Sequence, residues 1–202
     1  MVMNKALILS VRSEHTYNII TGKKTLELRK SVPKGFKGWV YVYVTKATPM
    51  LGYSKGNSFG TDFDEYCLAT FRERHWIDVI LNGTVPFRFW FDEYEKLKLG
   101  RWVNHKVGDW NYRGYMDEHL KTFNKLCLSE EQVLDYGKGK DLYAWHIKNL
   151  DIFDKPMQLG EFVKDFPYAS RDVILSEIKN QKLRITKAPH SYMYAWVKEE
   201  LK

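Results

Sequence analysis

The chain has 202 residues, of which 44% are hydrophobic and 28% charged, with a formal net charge of +7. That length can bury one good core with room for a subdomain, and an aromatic content of 15% argues against disorder along most of the chain. No run approaches the roughly eighteen apolar residues of a membrane helix. The apolar stretch in MVMNKALILSVRSEH reads as too short for a signal peptide. The two cysteines, Cys67 and Cys127, make neither a disulfide framework nor a paired metal-ligand motif. A cytoplasmic protein with free thiols is the expectation.

Taken in order, ALILS (6–10) predicts a short buried strand. Ser13 can cap a helix carrying Tyr17, Ile19 and Ile20, and Gly22 sits where a left-handed residue usually ends one. Lys24–Arg29 reads as a second strand, and Gly38–Thr45 as a third with strong β-propensity. Residues 47–60 read as loop and 63–80 as helix. Thr84–Phe91 alternates, with Val85, Phe87, Phe89 and Phe91 on one face, and Pro86 marks an edge or a strand start. Residues 98–116 suggest a long ordered loop, and 117–127 a helix. Ser129 with Gln132 forms a capping box for a short helix ending at Gly137. Leu142–Phe153 predicts a strand bent near Asn149. A helical turn at 157–162, a helix at 170–181 and a turn-plus-strand at 187–197 complete the chain. Many short strands and few helices argue an α+β chain built on a small, mostly antiparallel barrel decorated by helices.

The charge is uneven. Residues 1–46 hold nine Lys/Arg against two Glu, while residues 47–139 hold twelve basic and fourteen acidic residues. The concentration fits either a localised anionic ligand or a solvated lysine-rich face. GKKTLELRK (22–30) sharpens the question. Alternate strand side chains face opposite sides, so Leu26 and Leu28 point into a core while Glu27 and Arg29 share the other face. There they can pair with each other or meet one shared ligand.

ALILSVRSEHTYNIITGKKTLELRK resembles the start of an ASCH domain of the PUA-like superfamily, through Gly22, Lys24, Thr25, Glu27 and Arg29. LYAWHIKNLDIFDKPMQLGEF and KAPHSYMYAW are similar to the late strand and closing motif of that family. The resemblance covers about 5–46 and 141–197, and implies a single PUA-like β-barrel domain with a large insertion at about 47–140. The overall organisation also resembles longer forms encoded by phages and prophages. The resemblance implies a nucleic-acid-binding module, for RNA or a nucleotide-like ligand. Its cleft residues would be Arg12, Lys24, Glu27, Arg29 and Lys30, with Ser191 and its neighbour His190 from the closing motif. Arg29 offers a planar fork suited to phosphate or a base edge.

Some members of this family are amidohydrolases acting on modified cytidine, with a lysine followed three residues later by a threonine. Here Glu27 stands at that spacing from Lys24, and Thr25 leaves the opposite face of a regular strand. A carboxylate cannot replace the hydroxyl as acyl acceptor. An enzymatic reading would therefore use Lys24 and Glu27 as an acid/base pair acting on water.

Trp39, Tyr41 and Tyr43 share a strand face that either stacks bases or packs beneath the inserted block. Trp90, Trp102, Trp110, Tyr112 and Tyr115 read as a local core of that block, which is also a candidate surface for a protein partner. The six histidines form no zinc motif, and GYSKGNSFG lacks the context of a phosphate loop. No metal or cofactor is expected.

Overall fold

A computed structural model describes residues 3–55, 65–98, 121–165 and 183–198. In chain order the strands are β1 (Met3–Val11), β2 (Leu26–Arg29), β3 (Gly38–Val44), β4 (Met50–Ser54), β5 (Glu65–Ala69), β6 (Val79–Ile80), β7 (Val85–Phe91), β8 (Tyr94–Leu97), β9 (Leu142–His146), β10 (Lys148–Met157), β11 (Val163–Lys164) and β12 (Tyr192–Lys198). Helices α1 (Ser13–Ile20) and α2 (Glu130–Gly137) are joined by a helical stretch at 121–126 and by 3-10 turns at Phe71–Trp76 and Leu159–Glu161. Among the described residues no helix is long and apolar enough to cross a membrane. The chain forms two compact units, one of Met1–Tyr17, Gly38–Trp90 and Leu150–Lys202, the other of Asn18–Lys37 and Phe91–Asn149.

The first unit is built on a six-stranded sheet in the order β10-β7-β3-β1-β12-β11. Its central strand β1 runs parallel to β3, with Leu7 opposite Val40, and antiparallel to β12, with Ala6 opposite Ala195. Leu7, Ile8 and Leu9 are fully buried, as a continuous apolar run covered on both faces must be. Val40, Val42 and Val44 are buried on one face of β3, and Tyr41 and Tyr43 are buried on the other. The tyrosine face is therefore a packed one. Tyr41 meets Phe162 at 5.0 Å and Phe153 at 6.0 Å, and shares a cluster with Ile185, Ala195 and Val197. These covering residues come from the last third of the chain, where the sequence had suggested the middle block. Trp90 packs edge-on to Trp39 at 5.4 Å.

Val85, Phe87, Phe89 and Phe91 are all buried, as the alternation predicts. Pro86 lies at the start of β7, whose neighbours are β10 and β3, so it marks a strand start. Two expectations fail nearby. Residues 47–60 include β4, and the described part of 63–80, from Glu65 on, forms β5, a 3-10 turn and β6 in place of a helix. β4 pairs with both β5 and β6. β5 is largely half-exposed, so its side chains show no clean two-residue alternation.

Asn82 ties this region together. Its Nδ2 donates to Ser13 Oγ, Thr45 O and Ala47 O, each at 2.9 Å, while its Oδ1 accepts from Leu51 N at 2.7 Å. Ser13, expected as a cap, is thus the first residue of α1 and spends its hydroxyl as an acceptor for Asn82.

The second unit carries the sheet β2-β9-β8. Leu26, Leu28, Leu97, Phe123, Leu126, Val133, Leu142 and Ala144 form its core. The capping box at Ser129 and Gln132 is present, but Lys138, at φ 49°, takes the left-handed position after α2, one residue past Gly137. The single strand expected over 142–153 is broken. β9 joins β2 and β8, β10 joins β7, and Asn149 has φ 48° near the break. The fold is α+β and mostly antiparallel, as expected. The described strands lie in three sheets, however, and no closed barrel is formed among them. Residues 47–140 contribute to both units. Residues 99–116, the helix expected at 170–181, and Trp102, Trp110, Tyr112 and Tyr115 lie outside the described residues.

Asn82→Ala removes four hydrogen bonds to backbone and side chain, and should lower stability by about 1–3 kcal/mol in urea unfolding. Asn82→Asp should cost at least as much, since an oxygen then faces two carbonyls. Gly52→Ala should also destabilise, by about 1–3 kcal/mol, because the added methyl runs into the Ile77 side chain. Thermal unfolding checks it, and Gly52→Ala with Ile77→Ala should recover part of the loss.

Candidate functional site

The GKKTLELRK segment lies within the second unit, and local geometry explains how it places its charges. After α1 the chain turns at Gly22, whose φ of +73° is natural only for glycine. Lys24 N then donates to Asn18 O at 2.8 Å, and Thr25 N donates to Lys125 O at 3.0 Å. These bonds hold Lys24 just ahead of β2. Its side chain therefore escapes strict strand alternation and reaches the same place as that of Glu27.

The three charged groups meet and are buried. Exposure is 2% for Lys24, 4% for Glu27 and 8% for Arg29. Arg29 Nη2 lies 2.8 Å from Glu27 Oε1, and Lys24 Nζ lies 3.4 Å from Glu27 Oε2. Lys24 Nζ also donates to Leu126 O at 2.7 Å. Taking a charge out of water costs several kcal/mol per ion, so such a group persists only when closely paired. Here one carboxylate lies between two cations, and the trio sums to one positive charge. Leu26 and Leu28 are buried on the opposite face of β2, as the alternation requires.

The register of the sheet extends this face. Glu27 lies opposite Trp145, which lies opposite Tyr94; Arg29 lies opposite Tyr143, which lies opposite Lys96. Directly opposed residues share a face. The Glu27 and Arg29 face therefore continues through Trp145 and Tyr143 on β9 to Tyr94 and Lys96 on β8. Trp145 is covered by Phe91, at 4.8 Å between rings, and Phe91 stacks on Phe36 at 6.5 Å. Tyr94 remains 47% exposed and meets the half-buried Tyr143 edge-on at 5.7 Å. Lys96 Nζ sits 6.0 Å from the Tyr143 ring and pairs with Asp141 at 2.8 Å. Hydrogen bonding to Asp141 raises the pKa of Lys96.

The other predicted residues are placed as follows. Lys30 is exposed, with its Nζ 4.8 Å over the Tyr136 ring. Burial pushes the Tyr136 phenol up, and Glu27 and Arg29 act on it in opposite directions. Arg12, His190 and Ser191 belong to the first unit. Ser10, two residues ahead of Arg12, donates from its amide to Ser191 O at 2.9 Å and from its hydroxyl to Pro189 O at 2.7 Å. The closing motif is thereby tied to the end of β1. Arg12 and His190 are exposed. Sequence reasoning missed Tyr94, Lys96, Tyr136 and Tyr143. Only Tyr143 fell within a predicted strand, and its facing partners depend on long-range register.

Two further clusters belong to the second unit. His146 Nε2 lies 3.1 Å from Glu95 Oε1, and Thr122 Oγ1 donates to Glu95 Oε2 at 3.2 Å. Lys148 bridges Asp92 and Glu93, each at 2.8 Å. Among the described residues no group of three His, Cys, Asp or Glu side chains is arranged to hold a metal ion.

No family model matches the sequence, and no curated protein matches it. Solved structures do. The crystal structure of ASCH from Zymomonas mobilis superposes with a TM-score of 0.50 at 14% identity, over 96% of this chain and 88% of that one. A serine-to-alanine mutant of the same Zymomonas mobilis protein gives 0.50 at 13% identity, over 96% and 89%. With its mixed sheets, short helices and this likeness along nearly its whole length, the chain has the fold of an ASCH domain.

Proposed function

We propose that the chain is a nucleic-acid-binding module that holds single-stranded RNA at the Lys24–Glu27–Arg29 cluster. The observation that carries this reading is the burial of two cations around one carboxylate, within 3.4 Å of it. An anionic phosphate compensates the extra positive charge without dismantling the pair. The charge excess of residues 1–46 supports the same reading, since it raises the local concentration of an anionic ligand. Lys30 extends the basic surface into solvent. Arg12, His190 and Ser191, all on the first unit, are proposed as ligand contacts of that unit.

The alternative is an amidohydrolase acting on an acylated nucleoside. The approach of Lys24 Nζ to Glu27 Oε2 favours it, because an acid/base pair must be within such reach. Thr25 is exposed while Lys24 is buried, which speaks against Thr25 as the nucleophile. Hydrolysis would then need a water activated by Glu27.

Fluorescence anisotropy with a labelled single-stranded RNA separates these readings. Arg29→Lys keeps the charge and loses the fork, and should weaken binding about tenfold or more, while Lys155→Ala should change it less than twofold. Raising the salt should weaken wild-type binding steadily. Equal small effects of the two substitutions would remove the basis of the proposal. In parallel, incubation with an acylated cytidine should release no free acid. Release that disappears in Glu27→Gln would establish the enzyme instead.

A further inference from the structure

The sheet face that begins at the buried cluster does not end there. From Arg29 it crosses the half-buried Tyr143 to Lys96, and the neighbouring row ends in the largely exposed Tyr94. Its two ends differ in character. Near Glu27, Trp145 is roofed by Phe91 and Phe36, so that part is a packed interior. Toward β8 the two tyrosines form an edge-to-face pair with no such roof among the described residues, and Tyr94 keeps nearly half its surface in water. A partly exposed aromatic pair on a sheet face, with Arg29 at one end and the Asp141-paired Lys96 at the other, offers ring faces for bases and cationic groups for a backbone, the chemistry that single-stranded nucleic acid uses.

We infer that Tyr143 and Tyr94 form a stacking platform for bases, continuous with the phosphate site at Arg29, so that the strand crosses β2, β9 and β8 in turn. This rests on the RNA-binding reading of the cluster and extends it from one contact to a path. The direction follows from the register: Arg29, Tyr143 and Lys96 are opposed in one row. A phosphate held at Arg29 leaves its base beside Tyr143, the next base reaches Tyr94, and Lys96 stands at the far end beside Asp141. Stacking is tolerant of base identity, so the platform favours any single strand over a duplex, whose bases are already stacked.

The test uses the full chain and three probes: an oligouridine RNA, an abasic sugar-phosphate strand of equal length, and an RNA duplex. Tyr94→Ala combined with Tyr143→Ala should weaken oligouridine binding about tenfold or more and leave abasic-strand binding within twofold. Tyr94→Phe combined with Tyr143→Phe should keep wild-type affinity, since the rings remain and only the hydroxyls are lost. The duplex should bind less tightly than the single strand. Circular dichroism confirms that each variant is folded, and if the double alanine variant is not, Tyr94→Ala alone serves, with at least a threefold loss expected. Equal losses for oligouridine and the abasic strand would overturn the platform. So would unchanged oligouridine binding in the alanine variants while Arg29→Lys still weakens it, an outcome that leaves the phosphate site standing. Failure of the wild-type protein to bind any of the probes would overturn both.

Discussion

The carboxylate of Glu27 holds this site together. It accepts Arg29 on one oxygen and faces Lys24 on the other, with all three largely buried and Arg29 the most exposed at 8%. Each charge alone would be intolerable at that depth. Removing one member of a buried pair typically costs about 3–5 kcal/mol, because the survivor is left without compensation. The local chain path is shaped by that requirement. Gly22 allows the reversal after α1, Lys24 is held by Asn18 before the strand begins, and Leu126 supplies a carbonyl for its ammonium. A purely structural purpose would be served as well or better by three apolar side chains. The proposed anionic ligand would bring further negative charge to two cations that share one carboxylate.

The surroundings divide the labour. The opposite face of β2 buries Leu26 and Leu28 in a core with Phe123, Leu126 and Val133, which fixes the strand. The sheet register then sets which side chains stand beside Glu27 and Arg29. Because β9 is central in its sheet, Trp145 and Tyr143 are each flanked on both sides. The same strand thus carries a sealed aromatic and, two residues away, an accessible one. The proposed stacking surface would use that step from sealed to accessible.

Much of this was legible in the residues. The alternation in TLELR announced a strand with two charged side chains on one face, and VPFRFWF announced four buried apolar positions. The S-x-x-Q spacing at Ser129 announced a capped helix. Each of these is a local rule acting on neighbours within a few residues. The failures share a cause as well. β5 is half-exposed and paired at a distance, so its side chains alternate poorly and a helix looked equally acceptable. The division of 142–153 between two sheets depends on strands far away in sequence, and a bend near Asn149 was its only local trace. Lys24 joins Glu27 because it precedes the strand, a detail of one turn that strand alternation alone misassigns. Asn82 escaped notice although Asn-Gly is a familiar turn signal, since nothing local shows that its amide ties Ser13 to the Thr45–Leu51 stretch.

The central claim is that the buried guanidinium of Arg29 meets the ligand directly. Nuclear magnetic resonance of the Arg29 Nε–H group, titrated with single-stranded RNA, tests it without altering the protein. The account predicts a shift of that resonance that saturates in step with RNA binding. RNA binding that leaves the Arg29 signal in place, while amides beside exposed lysines shift, would contradict it.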